Sequence, residues 1–268
     1  MTVFTVVYNG YGKFIPKWLD YINKQTEKPN VIIVLGENHE ADIDFLKENK
    51  IEYIIYQSEN MGKLRNKALE KIKGWWLYFS VDDELLPHAC EEITKTNSDL
   101  VSLYFDAIQP NGEMLKKRRS PLISSVKDLL YWDNNTWGGY VACRNNDIRF
   151  REDVLVPNYM FHFDAFKMGL KSVRSQSVCA IHHRWEKSHH YISSQDGSRK
   201  KMVDLIKKEA ERIFTDYLKK ENKVKIKVLK SFEDINTKQK YKKNEIIEIP
   251  FNENRIKKII KEKHGEVL

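Results

Sequence analysis

Residues 2 to 8, TVFTVVY, form a β-branched and aromatic run that breaks at Asn-Gly-Tyr-Gly, the punctuation of a strand entering a loop. Apolar side chains then recur at Ile15, Trp18, Leu19 and Ile22, one stripe of a helix over residues 14 to 26. NVIIVLG at 30 to 36 is a continuous apolar run, as in a strand covered on both faces, and it precedes a short helix, ADIDFLKENK, and a third strand, IEYIIYQ. This alternation of strand and helix predicts right-handed crossovers and a mostly parallel sheet. MGKLRNKALEKIK at 61 to 73 continues as an amphipathic helix, Gly74 ends it, and WWLYFSV at 75 to 81 reads as the next strand.

That strand runs into Asp82, Asp83 and Glu84. Ligands of open α/β sheets bind outside the carboxyl ends of the strands, so the position of this acidic triplet matters more than its acidity. A further strand is predicted over 99 to 107, a turn at PNGE, and a helix over 158 to 168 after a mixed stretch rich in aromatics around Trp132, Trp137 and Tyr140. Residues 198 to 222 read as a charged helix. KVKIKVLKSF, YKKNEIIEI and the helical NENRIKKIIKEK then suggest a small ββα unit. The predicted layout is an α/β domain over 1 to 195, a connector over 196 to 222 and a small module over 223 to 268.

Composition narrows the picture. With 41% hydrophobic and 31% charged residues the chain has a core to bury and is not intrinsically disordered. Its formal charge of +8 suits an anionic partner such as nucleic acid or a nucleotide diphosphate, but the lysines crowd toward the C-terminal end and say little about a site near Asp82. No apolar run reaches the roughly 18 to 20 residues that span a bilayer, and the N-terminus lacks the pattern of a signal peptide, so a cytoplasmic protein without a membrane span is expected. Cys90, Cys143 and Cys179 share no metal-type spacing and read as reduced packing residues.

Several segments, in order, resemble one family. Val6-Val7-Tyr8-Asn9 looks like an opening strand and Asn-containing turn, Gln25-Thr26 like the end of a first helix, and Asn60-x-Gly62-x-x-Arg65-Asn66 like a helix start. Phe79-Ser80-Val81-Asp82-Asp83-Glu84-Leu85-Leu86-Pro87 looks like a segment carrying a DxD motif, with Ser80 in place of its first Asp. Together they resemble the inverting GT-A glycosyltransferases of the large family two, which implies a Rossmann-like GT-A domain acting on a nucleotide-sugar donor, here a UDP-sugar. The resemblance implies donor contacts from Val7, Tyr8, Asn9, Glu37, Asn60, Ser80, Val81 and Asp82, with Glu37 standing where the family commonly places an acidic residue that reads the nucleobase. Lys63 and Arg65 lie on a helix that starts beside the strand ends, which directs them toward phosphates; Arg65 is equally placed to lock Asp82 or Asp83 in a salt bridge.

A diphosphate leaving group needs neutralising, and Mn²⁺ or Mg²⁺ held by carboxylates does this. Asp82 is the first choice of ligand, with Asp83 or Glu84 close by; capping of the following helix is the structural alternative. The late segment Ala180-Ile181-His182-His183-Arg184 resembles the family's late strand ending in a histidine, which implies a further ligand, His183 rather than His182. The family's catalytic Glu-Asp pair aligns on Pro157 and Asn158, neither a base, which leaves Asp164 and Asp153, and after them His162, to take the acceptor proton. Trp137, Gly138 and Gly139 are candidate acceptor contacts, as part of an aromatic wall or of a core cluster. Lys227 to Asp234 and Tyr241 to Glu248 resemble a small module of bacteriophage proteins, which adds a modified DNA base and a phage or host protein to a glycan as possible acceptors. A GT-A fold that has lost the base and acts as a nucleotide-sugar-binding or phage structural or interaction module is the competing reading.

Overall fold

The computed structural model describes residues 1–119, 140–153, 157–183, 223–233 and 238–250, with positions 204, 208, 212, 258, 259, 262 and 265–267. The chain divides into two compact units, one of Met1–Ser124 and Asp133–Val203, the other of Ser125–Trp132 and Asp204–Leu268.

The first unit is built as the alternation predicts. Strand β1 (Thr2–Val7) is followed by a 3-10 turn and helix α1 (Ile15–Asn23), β2 (Asn30–Leu35), α2 (Ile43–Glu48), β3 (Glu52–Ile55), α3 (Met61–Leu69) and β4 (Trp76–Tyr78). After the acidic tip come β5 (Glu84–Leu85), α4 (Ala89–Thr94), β6 (Leu100–Ile108), β7 (Met114–Arg119), β8 (Val141–Cys143), α5 (Pro157–Lys167) and β9 (Ser172–His183). Among the described residues nine strands make one sheet in the order β3-β2-β1-β4-β8-β6-β9-β5, with β7 also on β6. β1 to β4 pair in parallel, as do β6 and β9, whereas β8 runs against both of its neighbours, β5 runs against β9 and β7 against β6. The sheet is thus mostly parallel. Strand β8 falls in the mixed stretch where periodicity gave no strand, because three buried residues are too few to show a period.

β1 is buried at all six positions, as a central strand must be when helices cover both faces. Val3 and Val7 face one core, with Trp18, Leu19 and Ile22 of α1; Phe4 and Val6 face the other, with Leu64, Ala68 and Leu69 of α3. Two helices start on side-chain caps: Asp42 accepts from the backbone N–H of Phe45, and Asn60 accepts from that of Lys63, at 3.0 Å each. Cys90, Cys143 and Cys179 are free and buried, and burial pushes each thiol up to about 12, which keeps them protonated packing groups.

In the second unit β10 (Lys223–Val228) is the middle strand of a three-stranded antiparallel sheet, between β13 (Ile246–Pro250) and β14 (Gly265–Val267). β11 (Phe232–Glu233) and β12 (Lys240–Tyr241) pair as a small separate ribbon. Strand β14 goes beyond the ββα expectation: a three-residue strand ending one residue before the terminus is too short to be legible as a pattern. No helix among the described residues is long and apolar enough to cross a membrane.

Candidate active site

The loops at the carboxyl ends of β1 and β2 are zipped together. Asn9 N donates to Glu37 O at 3.2 Å, Gly10 N to Asn38 O at 2.8 Å and Gly12 N to His39 O at 2.9 Å. Gly12 permits this approach, since a Cβ there would lie 2.4 Å from the carbonyl oxygen of Glu40. Asn9 itself adopts a left-handed φ of 45°, a conformation Asn tolerates. Val7 is core, and Glu37 contributes its carbonyl to the zipper while its side chain is half-buried. Tyr8 stacks on Tyr11, with ring centroids 5.9 Å apart and planes 7° from parallel. Burial raises the Tyr8 phenol above its ordinary range; Tyr78 and Asp82 reinforce the shift and Arg65 opposes it, so these groups share one neighbourhood.

Arg65 rests on aromatic rings. It is buried, with its guanidinium 4.0 Å from the ring centroid of Tyr78 and 5.1 Å from that of Phe150, a stacked cation worth about 0.5 to 2 kcal/mol. Asn60 caps α3 and donates from Nδ2 to Glu152 O at 2.7 Å, while Lys63 is exposed in the first helical turn.

The acidic tip separates three carboxylates into three roles. Asp82 is half-buried and lines a pocket with Val81, Asp83, His183, Phe14 and the α1 side chains Lys17, Trp18 and Tyr21. Asp83 is 2% exposed. Its Oδ1 accepts from the backbone N–H of His183 at 2.9 Å and lies 3.0 Å from Nδ1 of His182, and its Oδ2 accepts from the hydroxyl of Tyr140. Burial, and then Asp83, raise the Tyr140 phenol well above its usual range, so it stays a donor to that carboxylate. Glu84 has Oε2 3.5 Å from His183 Nε2, within ion-pair range, yet that nitrogen is buried and makes no hydrogen bond. Ser80 accepts from Asp83 N across the turn at 3.3 Å.

Gln25 anchors the tip from behind. Its buried amide donates to Leu86 O at 2.9 Å and Leu85 O at 3.2 Å and accepts from Cys90 N at 3.1 Å, clipping the end of α1 to the chain that leaves Glu84. Gln25-Thr26, a family landmark in the sequence, is therefore a structural clip in the fold.

The base candidates fall in different surroundings. Asp164 forks onto Arg151, Nε to Oδ2 at 2.6 Å and Nη2 to Oδ1 at 2.7 Å, so both oxygens already hold a cation. His162 is 1% exposed, neither ring nitrogen has a hydrogen-bond partner, and burial pushes its pKa down to about 4. Asp153 is exposed in the loop before α5. Trp137, Gly138 and Gly139 lie outside the described residues.

A second group of metal-type side chains, His88, Glu92 and Cys179, has its ligand atoms within 4.8 Å of one another. Each is already engaged at an irregularity of β9, where Ser102 pairs with Arg174 but Tyr104 with Val178. Glu92 accepts from the backbone N–H groups of Gln176 and Ser177 that this bulge frees from the ladder, and His88 Nε2 lies 2.9 Å from Val178 O and from Ser177 Oγ. Burial works against the charge on Glu92, but these hydrogen bonds hold its carboxyl below the usual range. A soft cation could be held there only at the expense of those bonds.

A mostly parallel sheet whose central strand delivers carboxylates to a pocket beyond its carboxyl end defines a Rossmann-like domain of the GT-A type. No protein-family model matches the sequence, and no curated protein matches it. Among solved structures, S. aureus TarS 1–349 is similar, with a TM-score of 0.50 at 16% identity over 81% of this chain and 71% of that one. The same region of TarS in complex with UDP gives 0.50 at 17% identity, over 81% and 70%. A mannosyltransferase, PcManGT from Pyrobaculum calidifontis, in complex with GDP-Man and Mn²⁺, gives 0.49 at 15% identity, over 70% and 58%. At these identities the likeness is one of fold.

Proposed function

We propose that the first unit is a metal-dependent, inverting glycosyltransferase that moves a sugar from a nucleotide-sugar donor, a UDP-sugar by preference, to an acceptor. The observation that carries this reading is the convergence of Asp82 and His183, from segments far apart in the domain's sequence, on one pocket at the carboxyl end of the sheet. The pair fits a divalent cation: a half-buried carboxylate stands beside an imidazole whose buried Nε2 makes no hydrogen bond, an oxygen and nitrogen donor set suited to Mn²⁺. When bound, the cation would neutralise the charge of the departing diphosphate.

The chain's own residues would do the rest. Tyr8, stacked on Tyr11 above the joined β1 and β2 loops, offers an aromatic face near Asp82, and Asn9 and Glu37 line the same loops at the donor end. Lys63, exposed at the start of α3, supplies a cation in reach of solvent. Asp153 is the carboxylate near α5 that remains for acceptor activation once Asp164 is held by Arg151. That fork also favours a second reading, in which the fold binds a nucleotide sugar without transferring it. The acceptor classes are a glycan, a protein and a modified DNA base.

Release of UDP from UDP-glucose and UDP-N-acetylglucosamine, with and without Mn²⁺, tests the proposal. Metal-dependent release that Asp82→Asn lowers by roughly a hundredfold or more supports it. UDP binding without release from any donor favours the second reading, and absence of both UDP and Mn²⁺ binding overturns the two together.

A further inference from the structure

Asp83 is bonded through both of its carboxylate oxygens. A buried carboxylate is costly unless its oxygens are satisfied, and here they are satisfied by groups from two distant segments. Oδ2 holds the hydroxyl of Tyr140, the residue that leads into β8. Oδ1 holds the main chain of His183 and the ring of His182 at the last two positions of β9. The backbone bond is the informative one. It fixes the end of β9 against the β4 turn one residue away from Asp82, at the point where the His183 side chain enters the pocket. The ring of Tyr140 is clamped in turn, 4.6 Å from Phe79 and 5.5 Å from Phe105 between centroids, so the hydroxyl that orients Asp83 cannot swing away without disturbing the core.

From this geometry we infer that Asp83 is a positioning residue: it ligates nothing itself, but brings His183 to Asp82 and sets the spacing of the two groups that hold the cation. This rests on the cation site proposed above and assigns its third acidic neighbour a different task. Both carboxylates line the pocket, but Asp83 is 2% exposed with three of its roughly four acceptor sites taken by protein groups, whereas Asp82, its neighbour in sequence, stands there half-exposed.

The test reads Mn²⁺ binding directly, from the loss of the free-ion electron paramagnetic resonance signal in the presence of UDP, on full-length protein whose folding is checked by circular dichroism. Asp83→Asn keeps the volume and one acceptor oxygen; it is expected to weaken Mn²⁺ binding by roughly tenfold or more, the usual effect of removing the partner that orients a ligand. The decisive comparison is a double-mutant cycle with His183→Ala. If Asp83 acts through His183, adding Asp83→Asn to His183→Ala weakens binding by less than about twofold further. An undiminished further loss shows that Asp83 is itself a ligand and overturns the proposal, as does an Asp83→Asn protein that binds Mn²⁺ like the wild type. Should Asp83→Asn fail to fold, Tyr140→Phe, which removes one of the three donors and leaves the buried acceptor served by the other two, carries the test through the same cycle. Wild-type protein that binds no Mn²⁺ refutes the cation site itself, a result distinct from either outcome above.

Discussion

Histidine 162 shows what burial alone does to a titratable group. Its imidazole has no partner to favour the charged form, so desolvation decides, and the pKa falls from 6.5 to about 4. The unfolded chain therefore takes up a proton at a higher pH than the folded one. The sign follows: stability is full above the unfolded value, declines as pH drops below 6.5, and levels off once the folded value near 4 is passed. The loss over that window is about 3 kcal/mol for this residue. Denaturant midpoints at neutral pH and near pH 5 measure more than half of it. His162→Leu should flatten this part of the profile and raise stability at neutral pH by about 1 kcal/mol or more, since it removes two unpaired polar atoms from the core. The tip shows the opposite rule, because Asp83 tolerates burial only through its three donors.

At the scale of elements, two contacts tie helices to distant segments of the chain. Helix α3 touches the chain before α5 so closely at Gly62 that a Cβ would sit 2.2 Å from the carbonyl oxygen of Arg151. Backbone cannot yield as a side chain can, so Gly62→Ala should destabilise by about 2 kcal/mol or more despite alanine's better helix propensity, which thermal melts would show. The Gln25 clip is the second contact. Gln25→Leu keeps the bulk but strands Cys90 N, while the carbonyl of Leu86 keeps the N–H of Ala89, and a loss of about 1 to 3 kcal/mol is expected from urea unfolding. Because the clip holds the segment that follows Glu84, the same variant should also weaken Mn²⁺ binding, which a surface variant such as Lys47→Ala should leave unchanged.

For the whole molecule, every residue assigned to the site belongs to the first compact unit, and the second has a sheet of its own. Donor turnover should therefore survive removal of residues 223 to 268. Release of UDP by the shortened chain, within about threefold of the full one, is the expected result, since separate units contribute additively. Loss of turnover with the fold retained would place part of the site in the second unit. The lysines of that unit account for much of the +8 charge, so salt-dependent retention on an anionic matrix should fall with the same deletion.

Periodicity and punctuation determined the architecture. Alternating apolar runs and amphipathic stripes specify β1 through β4 with their helices, because each buries a regular face over several turns or residues. The acidic triplet at a strand end was legible for the same reason, whereas the His182–His183 pair at the end of β9 was singled out only by the resemblance to the family. The division of labour within those groups was not: nothing local distinguishes Asp82 from Asp83, or His182 from His183. Tertiary structure separates their surroundings, bringing Tyr140 and the main chain of β9 against Asp83 and leaving Asp82 half-exposed at the pocket that both line. Arg65, which read as a phosphate or carboxylate partner, stacks on Tyr78 and Phe150, and Asp164, which read as a base, is forked onto Arg151. Such pairings join residues far apart in the chain, and a side chain's charge records what it can bind, while only packing determines what stands next to it.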